Sequence, residues 1–444
     1  MVGRLMQRFK SDSFYRHALI FTLASLITSG LNYLYYPIMG RLIGISGYGE
    51  LQVVTSFLLQ LTTVFTGLNL ISVNIVANHD ERQSKALIIA LQKAVFWFIA
   101  IACVGIVLAS GVFKNFFQFD SSWPFVLLVP SLLVDAVAVF WTAYLQAKRD
   151  FTSLSFYTVL TGLGKIVFSV LFVKLGLGVA GGILGIAAGL WCSLIAVRLI
   201  TKHELPPLLS TLTWPKKHEL VLIKRHLDFI VEVIVALIGM SVLLSIDVLL
   251  VKHLFTPDFA GHYSGVSTVA RIIFYASSPL VSVMLPAITL HHMQKSKQAF
   301  YRTVGISLAI CLAGLAIFSL FAHPIMSLLL GKQFASSSSW LPMLSILAVL
   351  VTLTNIIVNY LLALRSHLAL IISLVSLGLA AGLISWHHGS VGQIVTSASI
   401  SVLAGQLVFW IAYWVRGGKF GRPLPEIANT GHEDTPVIPP ANAV

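Results

Sequence analysis

Five ionisable residues interrupt long apolar runs, and their side chains are the best placed in this sequence to do chemistry. They are Asp135, Lys165, Glu232, Asp247 and Arg271. A charge at the centre of a bilayer costs about 3 kcal/mol or more unless it faces protein or water. Such residues therefore either pair with one another or line a hydrated path, where a cation binds an anion and an acid carries H+ or Na+.

Asp135 and Lys165 lie in consecutive apolar runs at similar heights, roughly 15 and 18 Å from the same end at the helical rise of 1.5 Å per residue. Two interpretations remain open. In one, they form a buried ion pair that fixes two neighbouring helices and serves specificity more than stability. In the other, Lys165 faces a central cavity and offers a cation to an anionic ligand. Asp135 then modulates the charge of Lys165 or itself binds and releases a proton.

Arg271 falls near the middle of its apolar run, whereas the nearest acids, Asp247 and Glu232, fall closer to the two ends of the preceding run. We therefore expect no carboxylate at its height and predict that Arg271 binds an anion such as phosphate in a hydrated cavity. Glu232 and Asp247 are candidates for coupling to H+ or Na+. For Glu232 the alternative is an interfacial side chain that reaches the water, and we expect Lys252 to shield Asp247.

Uncharged polar residues also recur within three of the apolar runs. Run by run, they are Ser25, Ser29, Asn32 and Tyr36; Asn69 and Asn74; and Asn355 and Asn359. In the first and third of these runs, a spacing of three or four residues places them on one face of a helix. They either form hydrogen bonds between helices or line a cavity that binds sugar hydroxyls.

No pattern typical of a catalytic or metal centre occurs in the loops. The sequence lacks paired carboxylates, a Cys/His metal spacing, a Gly-rich phosphate loop and a nucleophile elbow there. Cys103, Cys192 and Cys311 lie far apart within apolar runs, where cysteine behaves as a small apolar residue. We expect a protein that is not an enzyme and has no metal or cofactor site beyond coupling to H+ or Na+.

The elements that must position these residues are membrane-spanning helices. Of the 444 residues, 57% are hydrophobic and 10% are charged, whereas soluble domains carry about 25% charged residues. Apolar runs of the roughly 20 residues that a crossing needs recur along the whole chain. We predict an all-α polytopic membrane protein with about twelve transmembrane helices.

The basic residues indicate the orientation of these helices. Most of the 29 lysines and arginines fall in alternate connections, beginning with the segment before the first helix. This bias places both termini in the cytoplasm. The net charge of +13 therefore reflects topology, and we expect no nucleic-acid partner.

A basic, proline-containing segment divides the helices six and six. We predict an N-terminal lobe at 1–200, a cytoplasmic linker at 201–226, a C-terminal lobe at 227–420 and a disordered cytoplasmic tail at 421–444. Short matches at a constant offset indicate that the lobes are repeats. Because each begins on the inner side, the repeats are parallel and the substrate path lies between them.

Four short motifs resemble those of the polysaccharide-export flippases of the MATE-like superfamily, which include O-antigen and other undecaprenyl-linked oligosaccharide flippases. They are residues 39–44 (MGRLIG), 47–51 (GYGEL), 144–151 (YLQAKRDF) and 330–334 (LGKQF). The resemblance extends over nearly the whole membrane portion. It implies a MATE-like fold in which two six-helix lobes alternate access across a bacterial cytoplasmic membrane.

The same resemblance implies a substrate and partners. The substrate would be an oligosaccharide on a polyprenyl pyrophosphate, flipped to the periplasmic leaflet for surface polysaccharide synthesis. The family often places cations in the central cavity, a role that Lys165 and Arg271 fit, and Arg41 matches a basic position of the family signature at an outer helix end. The implied partners are the lipid bilayer, the lipid-linked glycan and other polysaccharide-assembly membrane proteins.

An alternative on the same fold is a cation-coupled exporter of small amphiphilic compounds. Multidrug extruders of the superfamily often carry an acid in the first helix, where this chain has Asn32, and lipid II flippases usually have two further helices. Both departures favour the polysaccharide branch. A third alternative, a membrane polymerase or ligase, would need a large outer catalytic loop, and the sequence has none.

Overall fold

A computed structural model describes the backbone of residues 13–78, 81–148, 150–201, 227–285, 288, 293–364, 366–415 and 420. It describes side chains over the same ranges except for residues 13–22, 70–71, 73–78, 81–87 and 227–233. The predictions made for the linker beyond residue 201, for the tail at 421–444 and for the side chains of Asn74 and Glu232 lie outside the described residues.

The described part of the chain is helical and contains no strand. Its α-helices are α1 (Ser13–Asn78), α2 (Glu81–Phe116), α3 (Trp123–Val126), α4 (Val129–Ala147), α5 (Phe151–Phe172), α6 (Gly178–Ile200), α7 (Leu227–Leu243), α8 (Ile246–Leu254), α9 (Pro257–Ala270), α10 (Ile272–Met284), α11 (Met293–Leu320), α12 (Ala322–Leu330), α13 (Leu341–Ala363), α14 (Leu368–Trp386) and α15 (Val391–Val415). A π-helical turn (Val173–Leu177) joins α5 to α6, and a 3-10 helix (Lys332–Trp340) joins α12 to α13.

The lengths of the helices account for about twelve crossings. Within the described residues, nine helical segments are long and apolar enough to cross a membrane, and the bent pair α7–α8 brings the number to ten. Two of the nine, Leu23–Asn69 with 47 residues and Phe151–Ile200 with 50, are each long enough for two crossings. The predicted all-α fold with about twelve transmembrane helices is confirmed.

Glycines with positive φ mark the points at which these two long segments turn back. Gly44, with φ of 74°, interrupts α1, and Gly176 and Gly178 separate α5 from α6. After the second turn the two helices run antiparallel in close contact, since a Cβ added to Gly164 would lie 2.9 Å from the Cα of Gly189. Glycine suits both tasks because it adopts positive φ and lets backbones approach closely.

Buried apolar residues form two separate cores. One comprises residues between Tyr35 and Val197, together with Leu249, and the other comprises residues between Met240 and Phe420, together with Tyr48. We call α1–α6 the N-lobe and α7–α15 the C-lobe. The exact boundaries of the two lobes stay a prediction.

The first helices of the C-lobe are short and broken. α7 ends at Leu243 and α8 begins at Ile246, with a bend of 51° between them. α9 then starts at Pro257 after an extended Thr256, and a proline in the first helical turn loses no hydrogen bond. These breaks determine which side chains of α8 and α9 face each other.

Candidate functional site

The lobes contact each other at the end of the molecule where α1 turns, which we call the Gly44 end. Gln333 donates a hydrogen bond from Nε2 to the carbonyl oxygen of Gly40 at 2.7 Å. The exposed Arg41 donates from Nη2 to the carbonyl oxygen of Leu328, near the carboxyl end of α12. A cation in this position also interacts favourably with the helix dipole.

Close backbone approach continues this contact between the lobes. A Cβ added to Gly49 would lie 3.0 Å from the backbone nitrogen of Gly261, and a Cβ added to Gly261 would collide with the carbonyl oxygen of Ile45. Beside them the rings of Tyr48 and Phe334 meet edge to face, with centroids 5.5 Å apart. The lobes can therefore come this close only with glycines at these positions.

A charge pair and a ring stack complete the Gly44 end. The Nζ atom of Lys252, whose side chain is fully buried, lies 3.9 Å from Oε1 of Glu50 in the N-lobe. The rings of Phe116 and His253 stack with centroids 3.8 Å apart, and Gln118 donates a hydrogen bond to the His253 carbonyl at 2.8 Å. Lys252 therefore contacts an acid of the other lobe, and our expectation that it shields Asp247 is wrong.

Arg271 is paired with a carboxylate inside the C-lobe. Its Nη2 atom donates to Oδ1 of Asp247 at 3.2 Å, and Oδ2 of Asp247 accepts hydrogen bonds from Tyr263 at 3.0 Å and Ser267 at 3.3 Å. The expectation that Arg271 has no acid at its height is therefore wrong. The bend between α7 and α8 displaces Asp247 from the position that a straight helix would give it.

Arg271 also reaches a cavity between the two lobes. The space between its walls amounts to about 360 Å³, which includes volume open to solvent. From the N-lobe it is lined by Tyr33, Tyr36, Gln52, Thr55, Ser56 and Leu59. From the C-lobe it is lined by Thr268, Arg271 and Tyr275. We call it the interlobe cavity, and its walls combine aromatic rings, amide and hydroxyl groups with one guanidinium.

Lys165 of the N-lobe does not itself line the cavity but contacts one of the residues that do. Its Nζ atom lies 4.1 Å from the ring centroid of Tyr35 and 5.3 Å from that of Tyr36. Attraction between an ammonium and an aromatic face holds the side chain there. Because Tyr36 also lines the interlobe cavity, it places Lys165 next to the wall of the cavity that Arg271 lines from the other lobe.

A family model described as polysaccharide biosynthesis protein matches residues 14–292, which is more than half of the chain. The chain belongs to the polysaccharide biosynthesis protein family. No curated protein sequence matches it.

Solved structures show the same fold at low sequence identity. An inward-facing multidrug-resistance transporter of the MATE family and MOP superfamily is 15% identical, with a TM-score of 0.66 over 87% of this chain and 94% of that one. The lipid II flippase MurJ, in an inward closed conformation, is 12% identical, with a TM-score of 0.66 over 90% and 87%. A eukaryotic MATE transporter is 13% identical, with a TM-score of 0.63 over 91% and 97%. The family member described here thus has the multi-pass fold of MATE-like transporters, as the sequence predicts.

Asp135 and Lys165 do not form an ion pair in the described part of this family member. Lys165 instead contacts the tyrosine rings of α1, and Asp135 is half-buried on α4. The interpretation of these two residues as a structural pair is therefore wrong for this conformation. A role for Asp135 in ion coupling stays a prediction.

The predicted polar residues lie mostly within single lobes. Ser29 and Asn32 are exposed, and the Ser29 hydroxyl donates to the Ser25 carbonyl one turn earlier. Asn69 donates to the Val139 carbonyl and to the Thr142 hydroxyl, at 3.3 and 3.2 Å. Asn359 donates to Asn355 along α13. The interlobe cavity is lined by none of these five predicted residues, Ser29, Asn32, Asn69, Asn355 and Asn359. Sugar binding by them stays a prediction.

Sequence reasoning missed most of the residues that do line the cavity. Thr55 and Ser56 follow Gln52 by three and four positions, which is helical spacing on one face, and this signal could have identified them. Tyr33 and Tyr275 carry no such signal, because a tyrosine in an apolar run is equally typical of a membrane interface.

Proposed function

We propose that the chain translocates a lipid-linked oligosaccharide across the cytoplasmic membrane by alternating access, for surface polysaccharide synthesis. The observation that carries the proposal is the interlobe cavity, which Arg271 lines from the C-lobe and whose Tyr36 contacts Lys165 of the N-lobe. A polyprenyl diphosphate offers an anion to these cations, and its glycan offers hydroxyl groups to the polar wall. Membership of the polysaccharide biosynthesis family supports this substrate class.

The charges around the cavity support binding of an anion. The described structure gives the Arg271 guanidinium one hydrogen bond, to Asp247, whereas a guanidinium has five N–H donors. Asp247 balances one positive charge, so Arg271, Asp247 and Lys165 together keep a net positive charge. Guanidinium and ammonium groups in a partly desolvated cleft form strong charge-assisted hydrogen bonds with phosphate oxygens.

The contacts at the Gly44 end support alternating access. Charge distribution predicts that this end faces the outside and that both termini are cytoplasmic. The lobes meet there through noncovalent contacts, including Tyr48 and Leu249, which each pack into the core of the other lobe, and these contacts would have to separate in a rocking transporter. Transport would need no cofactor, and Asp135, Glu232 and Asp247 are the candidates for coupling it to H+ or Na+.

A second candidate function is export of small amphiphilic compounds coupled to a cation. The three tyrosines of the cavity, Tyr33, Tyr36 and Tyr275, would also accept an aromatic cation, since such rings attract positive charge. Arg271 and Lys165 would repel that ligand, which favours the anionic substrate.

Deletion of the gene in its source organism tests the proposal. Restoring wild type should restore surface polysaccharide, while Arg271→Ala or Lys165→Ala should leave lipid-linked repeat units inside the cell. Arg302→Ala and Lys174→Ala, which remove exposed cations outside the cavity, are matched controls, and each variant is checked for membrane insertion. Unchanged surface glycan after deletion, together with altered tolerance to amphiphilic drugs, would favour the exporter.

A further inference from the structure

Gln52 links the two lobes within the wall of the proposed site. Its side chain is 3% exposed, and Nε2 donates to the Tyr48 hydroxyl at 2.8 Å and to the Thr268 hydroxyl of the C-lobe. Thr268 donates in turn to the Ser264 carbonyl at 2.8 Å. A buried chain of hydrogen bonds therefore runs from one lobe to the other, and it uses both amide donors of Gln52.

The same two residues line the interlobe cavity. Gln52, Thr268 and Arg271 all line it. Arg271 follows Thr268 by three positions and so lies on the same helical face. A ligand whose anion contacts Arg271 brings its adjoining groups within reach of Gln52 and Thr268. The contact between the lobes and the ligand site therefore share atoms.

Another glutamine in the part of α1 that follows Gly44 provides a comparison. Gln60 donates from Nε2 to the Ser245 hydroxyl of the C-lobe at 3.1 Å. It thus makes the same type of contact between the lobes, but it is not among the residues that line the interlobe cavity. Gln52 differs from Gln60 by its position in the wall of the site.

We propose that Gln52 and Thr268 bind hydroxyl groups of the first sugar and thereby couple occupation of the cavity to separation of the lobes at the Gly44 end. This inference rests on the proposed function. When the lobes are closed, the Gln52 amide and the Thr268 hydroxyl satisfy each other. When the lobes part without a ligand, the hydrogen bond between them is lost, and the separated state forgoes its net contribution to stability.

A sugar hydroxyl removes this penalty because it is both a donor and an acceptor. It can accept from the Gln52 amide and donate to the Thr268 oxygen, so the bound sugar bridges the separated pair. A ligand shifts an equilibrium only by its difference in affinity for the two states. The bridge exists only in the separated state, so a sugar-bearing ligand favours that state more than the same anion without a sugar.

Distance measurements with two probes test this inference. The full-length chain, in nanodiscs and on a background without native cysteines, carries nitroxide labels at Trp123→Cys and Ser339→Cys, both exposed positions. The probes are farnesyl diphospho-N-acetylglucosamine and farnesyl diphosphate. For wild type, the sugar-bearing probe should raise the ratio of separated to closed lobes about fivefold more than the sugar-free probe, as one hydrogen bond would.

Gln52→Leu should abolish that difference between the probes, and Thr268→Val, which removes the hydroxyl from the other lobe, should do the same. Both should also raise the separated population without a probe. The matched control Gln60→Leu should raise it as well but should keep the wild-type difference between the probes. If Gln52→Leu and Thr268→Val both keep that difference, the inference is overturned.

Binding of the two probes distinguishes failure of the inference about Gln52 and Thr268 from failure of the proposed function. If the wild type binds both probes and Arg271→Met binds neither, the anion site stands whatever Gln52 does. If the wild type binds neither probe, or Arg271→Met binds both as tightly, the proposed function falls and the role of Gln52 and Thr268 falls with it.

Discussion

Gln333 of the C-lobe donates a hydrogen bond to the backbone carbonyl of Gly40 in the N-lobe, at 2.7 Å. The two residues belong to the motifs at 39–44 and 330–334, which lie far apart in sequence and dock on each other in the structure. Arg41 of the first motif strengthens the same contact through the Leu328 carbonyl. These motifs therefore hold the lobes together at the Gly44 end, and anion binding by Arg41 stays a prediction.

Gly261→Ala should prevent closure of the Gly44 end. The added methyl group would collide with the Ile45 carbonyl oxygen of the other lobe, and overpacking of this kind costs about 1–3 kcal/mol. We expect a lower Tm in detergent and a longer label distance between the lobes. Gly105→Ala is the matched control, because its added Cβ meets nothing within 4 Å; equal behaviour of the two variants would contradict the contact.

A disulfide between Phe116→Cys and His253→Cys should lock the Gly44 end. The two rings stack with centroids 3.8 Å apart, and the His253 ring contacts the Phe116 carbonyl oxygen, so the two positions face each other across the lobes, and a disulfide needs Cβ atoms about 4 Å apart. With Cys103, Cys192 and Cys311 replaced, oxidation should cross-link the double variant and stop transport in proteoliposomes, and reduction should restore it. Transport at the wild-type rate by the cross-linked protein would show that this end does not need to open.

Asp247→Ala and Arg271→Ala should each lower stability, and the two effects should not add. Removing one member of a buried ion pair leaves an uncompensated charge and costs about 3–5 kcal/mol. The double variant should therefore have a higher Tm than the sum of the single shifts predicts. Asp258→Ala and Arg302→Ala, at exposed positions, serve as controls; additive shifts at Asp247 and Arg271 would exclude the pairing.

Composition and the lengths of the apolar runs were sufficient to predict an all-α fold with about twelve transmembrane helices. Apolar runs long enough to cross a bilayer form helices whatever their side chains contact. Apart from a closed β-barrel, only a helix satisfies all backbone hydrogen bonds in lipid. Turns within a continuous helical segment, such as that at Gly44, did not prevent the count of about twelve crossings. The same reasoning singled out Arg271, which lines the interlobe cavity, and Lys165, which contacts Tyr36 in its wall.

Pairing of side chains could not be predicted in the same way. Heights estimated from helix ends assume straight helices, and the bend of 51° between α7 and α8 invalidates that assumption for Asp247. Similar heights also say nothing about which way two side chains point. In the structure, Lys165 points toward Tyr35 and Tyr36 rather than toward Asp135.

Translocation by the purified protein tests the central claim most directly. Proteoliposomes would contain a fluorescent polyprenyl diphosphate-linked oligosaccharide, and its rate of appearance in the opposite leaflet would be measured. Wild type and the control Lys174→Met/Arg302→Met should translocate it, whereas Lys165→Met/Arg271→Met should be slower by about tenfold or more, as expected for lost charge-assisted hydrogen bonds. A wild-type rate no higher than that of protein-free vesicles, or an unchanged rate in the cavity variant, would contradict the account.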